Sequence, residues 1–393
     1  MRIPQMTPWL GGEELEAVQG PIRENWITEG PRSAQFVERL NELIGTQYAV
    51  LAPNGTLALY LGLVAMGVKP GDEVIVPDCT FIASANAVVM AGATPVFVDV
   101  NAYNFQIDLS NADALVTDRT VAVMPVHLYG MAANMTEVTA FAERNGLRVI
   151  EDAAQGIGVR YKGLHTGSIG HVGCFSFFAD KTITTGEGGL VVCRNEAVYE
   201  RLRLLRNQGR LERGSFIHPA TGFNFRITDI QAAVGLAQLD RLDQIVQRKR
   251  TILQWYHDEL DDVDQVRFIE VEPGSTYVPF RIVLLCEEAM DLASDLDEND
   301  IDTRRTFYPL HQQPCFSHLD RSRGGVLDLS DSNYPNAIRG HDRTLLLPCF
   351  PTLTREQIGH IGSTIRNFYA QQCRPYTINI TTASTPARTM APK

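Results

Sequence analysis

One lysine in the sequence stands where its side chain could do covalent chemistry. Lys181 follows an apolar, aromatic run that ends at Phe178, and it precedes residues 186–189, of which three are glycine. Residues 190–193 then have the pattern of another buried strand. Lys181 therefore lies in a tight connection between two core strands, where desolvation favours the neutral amine. A neutral lysine amine can attack a carbonyl group.

Taken alone, Lys181 would more often be a surface lysine in a β-turn. An acid at the end of a strand favours the chemical interpretation. Asp152 ends the apolar strand predicted over residues 147–152, and Gln155 follows it closely. Ligands of parallel α/β sheets bind at the carboxyl ends of the strands. Asp152 could also cap the following helix, which is compatible with a chemical role.

A helix start provides a candidate anion site. Residues 54–56 are Asn-Gly-Thr and open a strongly apolar helix that runs to about residue 67. The simplest interpretation is that Asn54 or Thr56 caps this helix. The functional interpretation is a phosphate cradle, because Gly55 permits close approach to the free amides of a helix N-terminus. Ser176, five residues before Lys181, adds a hydroxyl that could hold an anion.

The surrounding elements alternate between strand and helix. Short strands are predicted at 73–77, 95–100, 122–126 and 147–152, and helices at about 33–44, 81–91 and 136–145. This alternation predicts an α/β fold whose central sheet is mainly parallel, with helices on both faces.

The C-terminal part of the chain has a different pattern. A long helical pattern over 228–260 leads to a strand at 278–286 and a helix at 289–298. We predict a large domain over residues 1–249, a smaller α+β domain over 250–372 and a disordered tail over 373–393, which is rich in Thr, Ser, Pro and Ala.

Composition limits the partners of the protein. The formal charge of −11 over 393 residues argues against binding to nucleic acid or to an anionic membrane. No apolar run is long enough for a membrane span, and residues 1–12 have no signal-peptide core. The seven cysteines are scattered without CxxC spacing. These features predict a cytoplasmic protein with reduced cysteines.

Together, these residue types suit pyridoxal phosphate. A lysine can form an imine with the cofactor, an acid can keep the ring nitrogen protonated, and helix amides with hydroxyl groups can hold the phosphate. A planar aromatic side chain can stack on the ring. The histidines lack the spacing of metal ligands, and no P-loop or GxSxG motif is present.

The sequence resembles the DegT/DnrJ/EryC1/StrS sugar aminotransferases, which belong to the fold type I pyridoxal-phosphate enzymes. The resemblance covers about residues 5–370, and the motifs that carry it are residues 26–30 (WITEG), 54–56 (NGT), 125–130 (PVHLYG), 151–155 (EDAAQ), 175–177 (FSF) with Lys181, and 222–226 (GFNFR). The chain departs from the commonest family pattern at several positions, which are Phe81, Gly156, Phe178 and Asp180.

The resemblance implies how pyridoxal phosphate would be held. Lys181 would bond to the cofactor and carry the proton, and Asp152 would pair with the pyridine nitrogen. Gly55, Thr56 and Ser176 would bind the phosphate. Gln155 would contact the ring hydroxyl, and Phe81 would stack on the ring.

The resemblance also implies partners. Asn224 would reach the phosphate of the neighbouring subunit's cofactor, so the active unit would be a homodimer with shared sites. Trp26, Thr28 and His311 fall in segments that border the sugar-nucleotide site in similar enzymes. The implied reaction transfers an amino group from glutamate to a nucleotide-linked 4-keto-6-deoxy sugar, and the most similar branch of the family uses a GDP-linked sugar.

Three alternatives remain. One is transamination of a UDP- or dTDP-linked sugar, or transamination at carbon 3. Another is a pyridoxamine-dependent dehydratase, although enzymes of that kind place a histidine where this chain has Lys181. The third is a non-catalytic regulator that keeps the fold, although such a protein should have lost some of the chemical groups.

Overall fold

The computed structural model describes residues 2–210, 212 and 214–372. The first nine strands in chain order are β1 (Tyr48–Ala52), β2 (Glu73–Pro77), β3 (Thr94–Val98), β4 (Thr120–Val123), β5 (Arg148–Asp152), β6 (Arg160–Tyr161), β7 (Leu164–His165), β8 (Val172–Ser176) and β9 (Gly189–Cys193). All except the β6–β7 hairpin form a seven-stranded sheet in the order β1-β9-β8-β5-β4-β2-β3. β9 runs antiparallel to β1 and β8, and the other neighbours are parallel. The predicted mainly parallel sheet is therefore confirmed.

The described part of the chain has eleven α-helices, of which some cover both faces of this sheet and others belong to the C-terminal half. They are α1 (Gly12–Arg23), α2 (Pro31–Ile44), α3 (Gly55–Ala65), α4 (Ala83–Met90), α5 (Met135–Asn145), α6 (Glu196–Arg206), α7 (Asp229–Asp240), α8 (Leu242–Leu260), α9 (Ala289–Glu298), α10 (Pro335–Arg343) and α11 (Arg355–Gln372). Short 3-10 helices lie at Ala112–Leu115, Leu128–Gly130, Leu310–Gln312, Pro314–Leu319, Arg321–Arg323 and Asp331–Asn333. Within the described ranges, none of the helices combines the length and the apolar character needed to cross a membrane.

Successive strand residues point to opposite faces, and this alternation divides the core. Val74 and Val191 pack in the cluster that contains residues of α3 and α4, such as Leu61. Their neighbours Ile75 and Leu190 belong to clusters on the other face, which contain residues of α5 and of α2. The sheet is thus buried on both sides, as expected for parallel strands.

The C-terminal half adds a second sheet. Its strands are β10 (Val266–Phe268), β11 (Ile282–Cys286), β12 (Arg304–Arg305) and β13 (Thr344–Leu347), and their order is β10-β11-β13-β12 with all neighbours antiparallel. Residues of α8, α9 and α11 pack with this sheet in a core of its own, for example Ile252, Leu292 and Ile361. Helix α8 joins the two cores, because Ile245 lies in one of them and Tyr256 in the other. The division at residues 249/250 stays a prediction, and the predicted tail lies outside the described residues.

The helical pattern over 228–260 is not one helix. The chain breaks between α7 and α8 at Arg241, whose backbone angles are φ −105° and ψ 4°. The guanidinium of Arg241 lies 3.2 Å from Oε1 of Glu14, and Nε2 of Gln238 donates to the same oxygen at 2.7 Å. Glu14 belongs to α1, a helix that the sequence pattern did not predict. The residues at the break thus contact α1, and periodicity within residues 228–260 does not show these contacts.

Candidate active site

A cavity of about 440 Å³ opens at the carboxyl edge of the large sheet. The second sheet closes its other side, since Arg304 of β12 and Leu346 of β13 also line it. Seven residues predicted to hold the cofactor or to do chemistry line this cavity together, and they are Gly55, Thr56, Phe81, Asp152, Gln155, Ser176 and Lys181.

Asp152 is the last residue of β5, and its side chain is buried. Oδ2 accepts a hydrogen bond from Oγ of Ser84 at 2.7 Å, and Oδ1 accepts one from the backbone N–H of Ala154 at 3.1 Å. Burial raises the pKa of this carboxyl group, while the two donors and the charge of Lys181 oppose the rise. Sequence reasoning missed Ser84, whose only signal is a hydroxyl group within α4, a helix of mostly small and apolar residues.

Lys181 lies in the loop between β8 and β9, and its side chain is only 16% exposed. Its Nζ is 4.7 Å from the centre of the Phe280 ring and 3.8 Å from Oδ1 of Asp180. Burial lowers the pKa of the amine, and the carboxylates of Asp180 and Asp152 oppose that lowering. The predicted desolvation of Lys181 is therefore present in the structure.

The N-terminus of α3 and Ser176 form a polar concavity. Oδ1 of Asn54 caps the helix by accepting the N–H of Leu57 at 3.0 Å, and the first amides of an α-helix have no partner within the helix. A Cβ on Gly55 would lie 2.7 Å from Cβ of Ser176. Glycine is thus the residue that lets the helix start and the hydroxyl approach each other, and such a concavity fits a phosphate group.

Gln155 and three aromatic residues shape the wall of the cavity. Oε1 of Gln155 accepts the backbone N–H of Tyr129 at 2.6 Å. The Tyr129 ring stacks on Phe307, with centres 6.2 Å apart and planes 7° apart. Phe81 is 58% exposed, and its ring centre lies 6.0 Å from that of Phe307. An exposed aromatic face at this position is available to stack on a planar ligand.

Four other residues that were predicted for the site are not among the described residues that line this cavity. Nε1 of Trp26 donates to the backbone oxygen of Glu29 at 3.4 Å. Thr28 accepts the backbone N–H of Asp229 at 3.2 Å. The remaining two are His311, which is buried and bound to carboxylates, and Asn224, whose Oδ1 accepts Nε of Arg226 at 2.9 Å. Their roles toward the substrate or a neighbouring subunit stay predictions.

Sequence reasoning did not identify the part of the cavity that the second sheet supplies. This part consists of Phe280, Arg281, Arg304, Arg305, Phe307 and Leu346. The double arginine at 304–305 was visible in the sequence, but its proximity to Lys181 was not. These residues are more than 90 positions from Lys181 along the chain, and only the packing of the two sheets brings them together.

The sequence matches the model of the DegT/DnrJ/EryC1/StrS aminotransferase family over residues 8–366. GDP-perosamine synthase from Escherichia coli O157:H7 is 38% identical over 372 residues, which cover 94% of this chain and 99% of that protein. A UDP-N-acetyl-3-dehydro-alpha-D-glucosamine 3-aminotransferase from Acidithiobacillus ferrooxidans is 39% identical over 329 residues, which cover 82% of this chain and 85% of that protein. These matches confirm the predicted resemblance.

Solved structures agree with the fold. Spr1654 from Streptococcus pneumoniae, solved in its PLP-form, superposes with a TM-score of 0.87 and 26% identity, covering 94% of this chain and 99% of that one. The predicted fold class is confirmed by this neighbour. The family and the PLP-form neighbour both point to pyridoxal phosphate as the cofactor.

Proposed function

Because the chain belongs to the DegT/DnrJ/EryC1/StrS aminotransferase family, we propose that it transfers an amino group from glutamate to GDP-4-keto-6-deoxy-mannose and thereby forms GDP-perosamine. The observation that supports this activity is that Lys181, Asp152 and the concavity formed by Gly55 and Ser176 all line one cavity. The GDP-linked sugar is favoured by the similarity to a GDP-perosamine synthase that extends over 94% of this chain.

The residues present fit pyridoxal phosphate. Gly55, Thr56 and Ser176 would hold its phosphate, Asp152 its ring nitrogen and Lys181 its aldehyde carbon. The bound cofactor supplies an electron-withdrawing ring, which stabilises the negative charge left when an amino acid loses its α-proton. Phe81 would stack on the ring, and Gln155 would contact its hydroxyl group.

The chain's own contribution to the chemistry is proton transfer and charge stabilisation. The Nζ of Lys181 would act as a general base when it takes the α-proton from the amino donor. It would then act as a general acid when it gives the proton back. Both roles require a pKa near the working pH. Burial lowers the pKa of Lys181 toward that range, and the Asp180 and Asp152 carboxylates limit the change. The hydrogen bonds from Ser84 and from the N–H of Ala154 favour the charged form of Asp152 and oppose the rise in pKa that burial causes.

The charges on the cavity wall suit a nucleotide-linked substrate. Arg281 is paired with Asp180, and Arg305 is bound to the backbone oxygen of His341. The guanidinium of Arg304 makes no hydrogen bond or ion pair with any of the described residues, although Arg304 lines the same cavity. An unpaired guanidinium is a ready partner for a diphosphate group, and we assign Arg304 to the nucleotide side of the substrate.

Further parts of the proposal concern the other subunit and the sugar. We propose a homodimer in which Asn224 contacts the cofactor phosphate of the neighbouring subunit. This role is compatible with its position away from the cavity of its own chain. Trp26 and Thr28 are proposed to border the sugar nucleotide, and His311 is proposed to act at the margin of that site.

A second candidate substrate is a UDP-linked keto sugar. It is favoured by the 39% identity to the 3-aminotransferase from Acidithiobacillus ferrooxidans. The nucleotide base and the carbon that receives the amine are therefore the points on which the two candidates differ. A non-catalytic regulator is the least favoured alternative, because Lys181 and Asp152 both line the cavity.

The test is incubation of the purified protein with glutamate and a panel of keto sugar nucleotides, with amine formation followed by mass spectrometry. We expect an amino sugar from the GDP-linked 4-keto-6-deoxy substrate, and no product from the Lys181→Ala variant. Product from UDP- or dTDP-linked sugars alone would reject the GDP-linked assignment. Turnover of Lys181→Ala at the wild-type rate would reject the aminotransferase assignment.

A further inference from the structure

Asp180 lies directly before Lys181 and contributes to two cavities. It lines the cavity described above and also a smaller pocket behind Lys181, which Thr182 and Lys249 line as well. Its Oδ2 lies 2.6 Å from a guanidinium nitrogen of Arg281, whose side chain is only 4% exposed. Arg281 immediately precedes β11. The Asp180–Arg281 ion pair therefore connects the loop that carries Lys181 to the second sheet.

The other carboxylate oxygen of Asp180 is buried without a hydrogen bond among the described residues. The Nζ of Lys181 lies 3.8 Å from this Oδ1, which is within ion-pair distance but too long for a normal hydrogen bond. A buried carboxylate oxygen that lacks a donor is costly. A small movement of the flexible lysine side chain would supply the missing donor.

Asp180 is also the shared anion of a group of buried cations. Besides Arg281 and Lys181, the group includes Lys249, whose Nζ donates to the backbone oxygen of Pro279 at 3.2 Å. Burial lowers the pKa of each of the three cations, and the charge of Asp180 is among the effects that oppose this lowering in each case. Arg281 in turn lowers the pKa of Lys181. Removal of Asp180 would leave these three cations without the carboxylate that offsets their mutual repulsion.

We propose that Asp180 is a positioning residue for Lys181: Oδ1 receives the ammonium group of Lys181 whenever this amine is not bonded to a ligand, while Oδ2 remains on Arg281. The proton stays on Nζ, and no covalent bond is made or broken. This inference rests on the proposed function, because it assigns Asp180 to the resting position of the amine that the reaction uses.

The test follows the reactivity of Lys181 in the full-length protein without cofactor. The protein is acetylated with limiting acetic anhydride over a range of pH values, and the peptide that contains residue 181 is quantified by mass spectrometry. We expect Asp180→Asn to shift the modification profile of Lys181 to lower pH by about one unit or more, because an attractive charge is lost and Arg281 is left uncompensated. Asp180→Glu should keep the wild-type profile, because it keeps the charge.

A second variant distinguishes the proposed loss of charge from a shift caused by misfolding. Arg281→Gln removes the repelling cation and frees Oδ2 of Asp180, so the Lys181 profile should move to higher pH, opposite to the effect of Asp180→Asn. Asp240→Asn is the matched control, because Asp240 forms an exposed pair with Arg39. The Lys181 profile of this variant should equal that of the wild type.

Two outcomes would overturn the proposal. One is identical Lys181 profiles for Asp180→Asn and the wild type, and the other is a shift of Asp180→Asn and Arg281→Gln in the same direction. A failure of transamination would leave this measurement intact, so the two proposals can fail separately.

Discussion

His311 is joined to Asp78 by two hydrogen bonds. The backbone N–H of His311 donates to Oδ1 of Asp78 at 2.7 Å, and Nδ1 of the ring lies 2.6 Å from Oδ2. The opposite ring nitrogen, Nε2, lies 3.1 Å from a carboxylate oxygen of Asp331, and the ring of Tyr334 stacks on the imidazole with centres 4.1 Å apart. An imidazole with carboxylates at both nitrogens donates from both, so the geometry is that of the charged form.

Loss of this histidine should destabilise the protein. Asp78 is fully buried, and in His311→Gln its charge would lose the imidazolium that balances it. Removing one partner of a buried ion pair costs about 3–5 kcal/mol. We expect the free energy of unfolding, measured by urea denaturation at pH 6, to fall by about 3 kcal/mol. His360→Gln is the control, because His360 is exposed, and it should change the free energy by less than about 0.5 kcal/mol. An equal free energy of unfolding for His311→Gln and the wild type would show that the His311–Asp78 pair does not stabilise the protein.

The contribution of His311 should depend on pH. Burial alone would lower the pKa of this imidazole, but the hydrogen bonds and charges of Asp78 and Asp331 raise it above the ordinary value of 6.5. A raised pKa in the folded state means that the stabilisation is complete below the unfolded pKa and is lost as the pH rises through the folded one. The gap in unfolding free energy between wild type and His311→Gln should therefore narrow as the pH is raised above 6.5.

The measurement is urea unfolding of both proteins between pH 6 and pH 9. Other titratable groups act on the same cluster. Burial and, to a smaller extent, the charge of Asp99 raise the pKa of Asp78, and burial together with the charges of Asp78 and Asp99 raises that of Tyr334. Asp99 and Tyr334 are present in both proteins, so the difference between the proteins reports the charge of His311 together with its effect on Asp78, whose pKa the histidine lowers. A gap that stays constant, or that widens with pH, would contradict a charged His311 in the folded state.

The sequence was sufficient to predict several residues of the large domain that line one cavity in the structure. Asp152 ends strand β5, Gly55 begins helix α3 and Lys181 lies in the loop between two strands. At these positions short-range pattern and chemistry agree. Phe280 and Arg304 come from the second sheet, and no local pattern relates them to Lys181. The same limit explains why α1 was missed, because its position depends on the contacts of Glu14 with Gln238 and Arg241.

The concavity at the start of α3 should not tolerate a methyl group. In Gly55→Ala the new Cβ would lie 2.7 Å from Cβ of Ser176, so the helix start and the serine must move apart. We expect the dissociation constant of pyridoxal phosphate, measured by absorbance or fluorescence titration, to rise at least about tenfold, which corresponds to about 1.4 kcal/mol. Gly359→Ala is the matched control, because a Cβ there meets nothing within 4 Å. That variant should stabilise α11 by about 0.5–1 kcal/mol and leave cofactor affinity unchanged. Wild-type affinity of Gly55→Ala would argue against a phosphate at this position.

Arg304 should determine the affinity for the anionic substrate more than the rate of the chemistry. Its charge lies close enough to Arg281 to lower the pKa of that guanidinium, and it lacks an anionic partner in the described part of the chain. A diphosphate between strand β12 and the cavity would relieve this repulsion. In Arg304→Gln we expect the KM for the sugar nucleotide to rise about tenfold or more, which is about 1.4 kcal/mol. The kcat and the KM for glutamate should change much less.

Salt dependence and a matched control separate a direct contact from an indirect effect. A direct ion pair with the diphosphate weakens as ionic strength rises, so the KM of the wild type should increase with salt more steeply than that of Arg304→Gln. Arg343→Gln serves as the control, because Arg343 is exposed and paired with the exposed Glu287, and its kinetic constants should match those of the wild type. If Arg304→Gln instead raised the KM for glutamate and left that for the sugar nucleotide unchanged, Arg304 would bind the carboxylate of the amino donor, and the assignment to the nucleotide would be wrong.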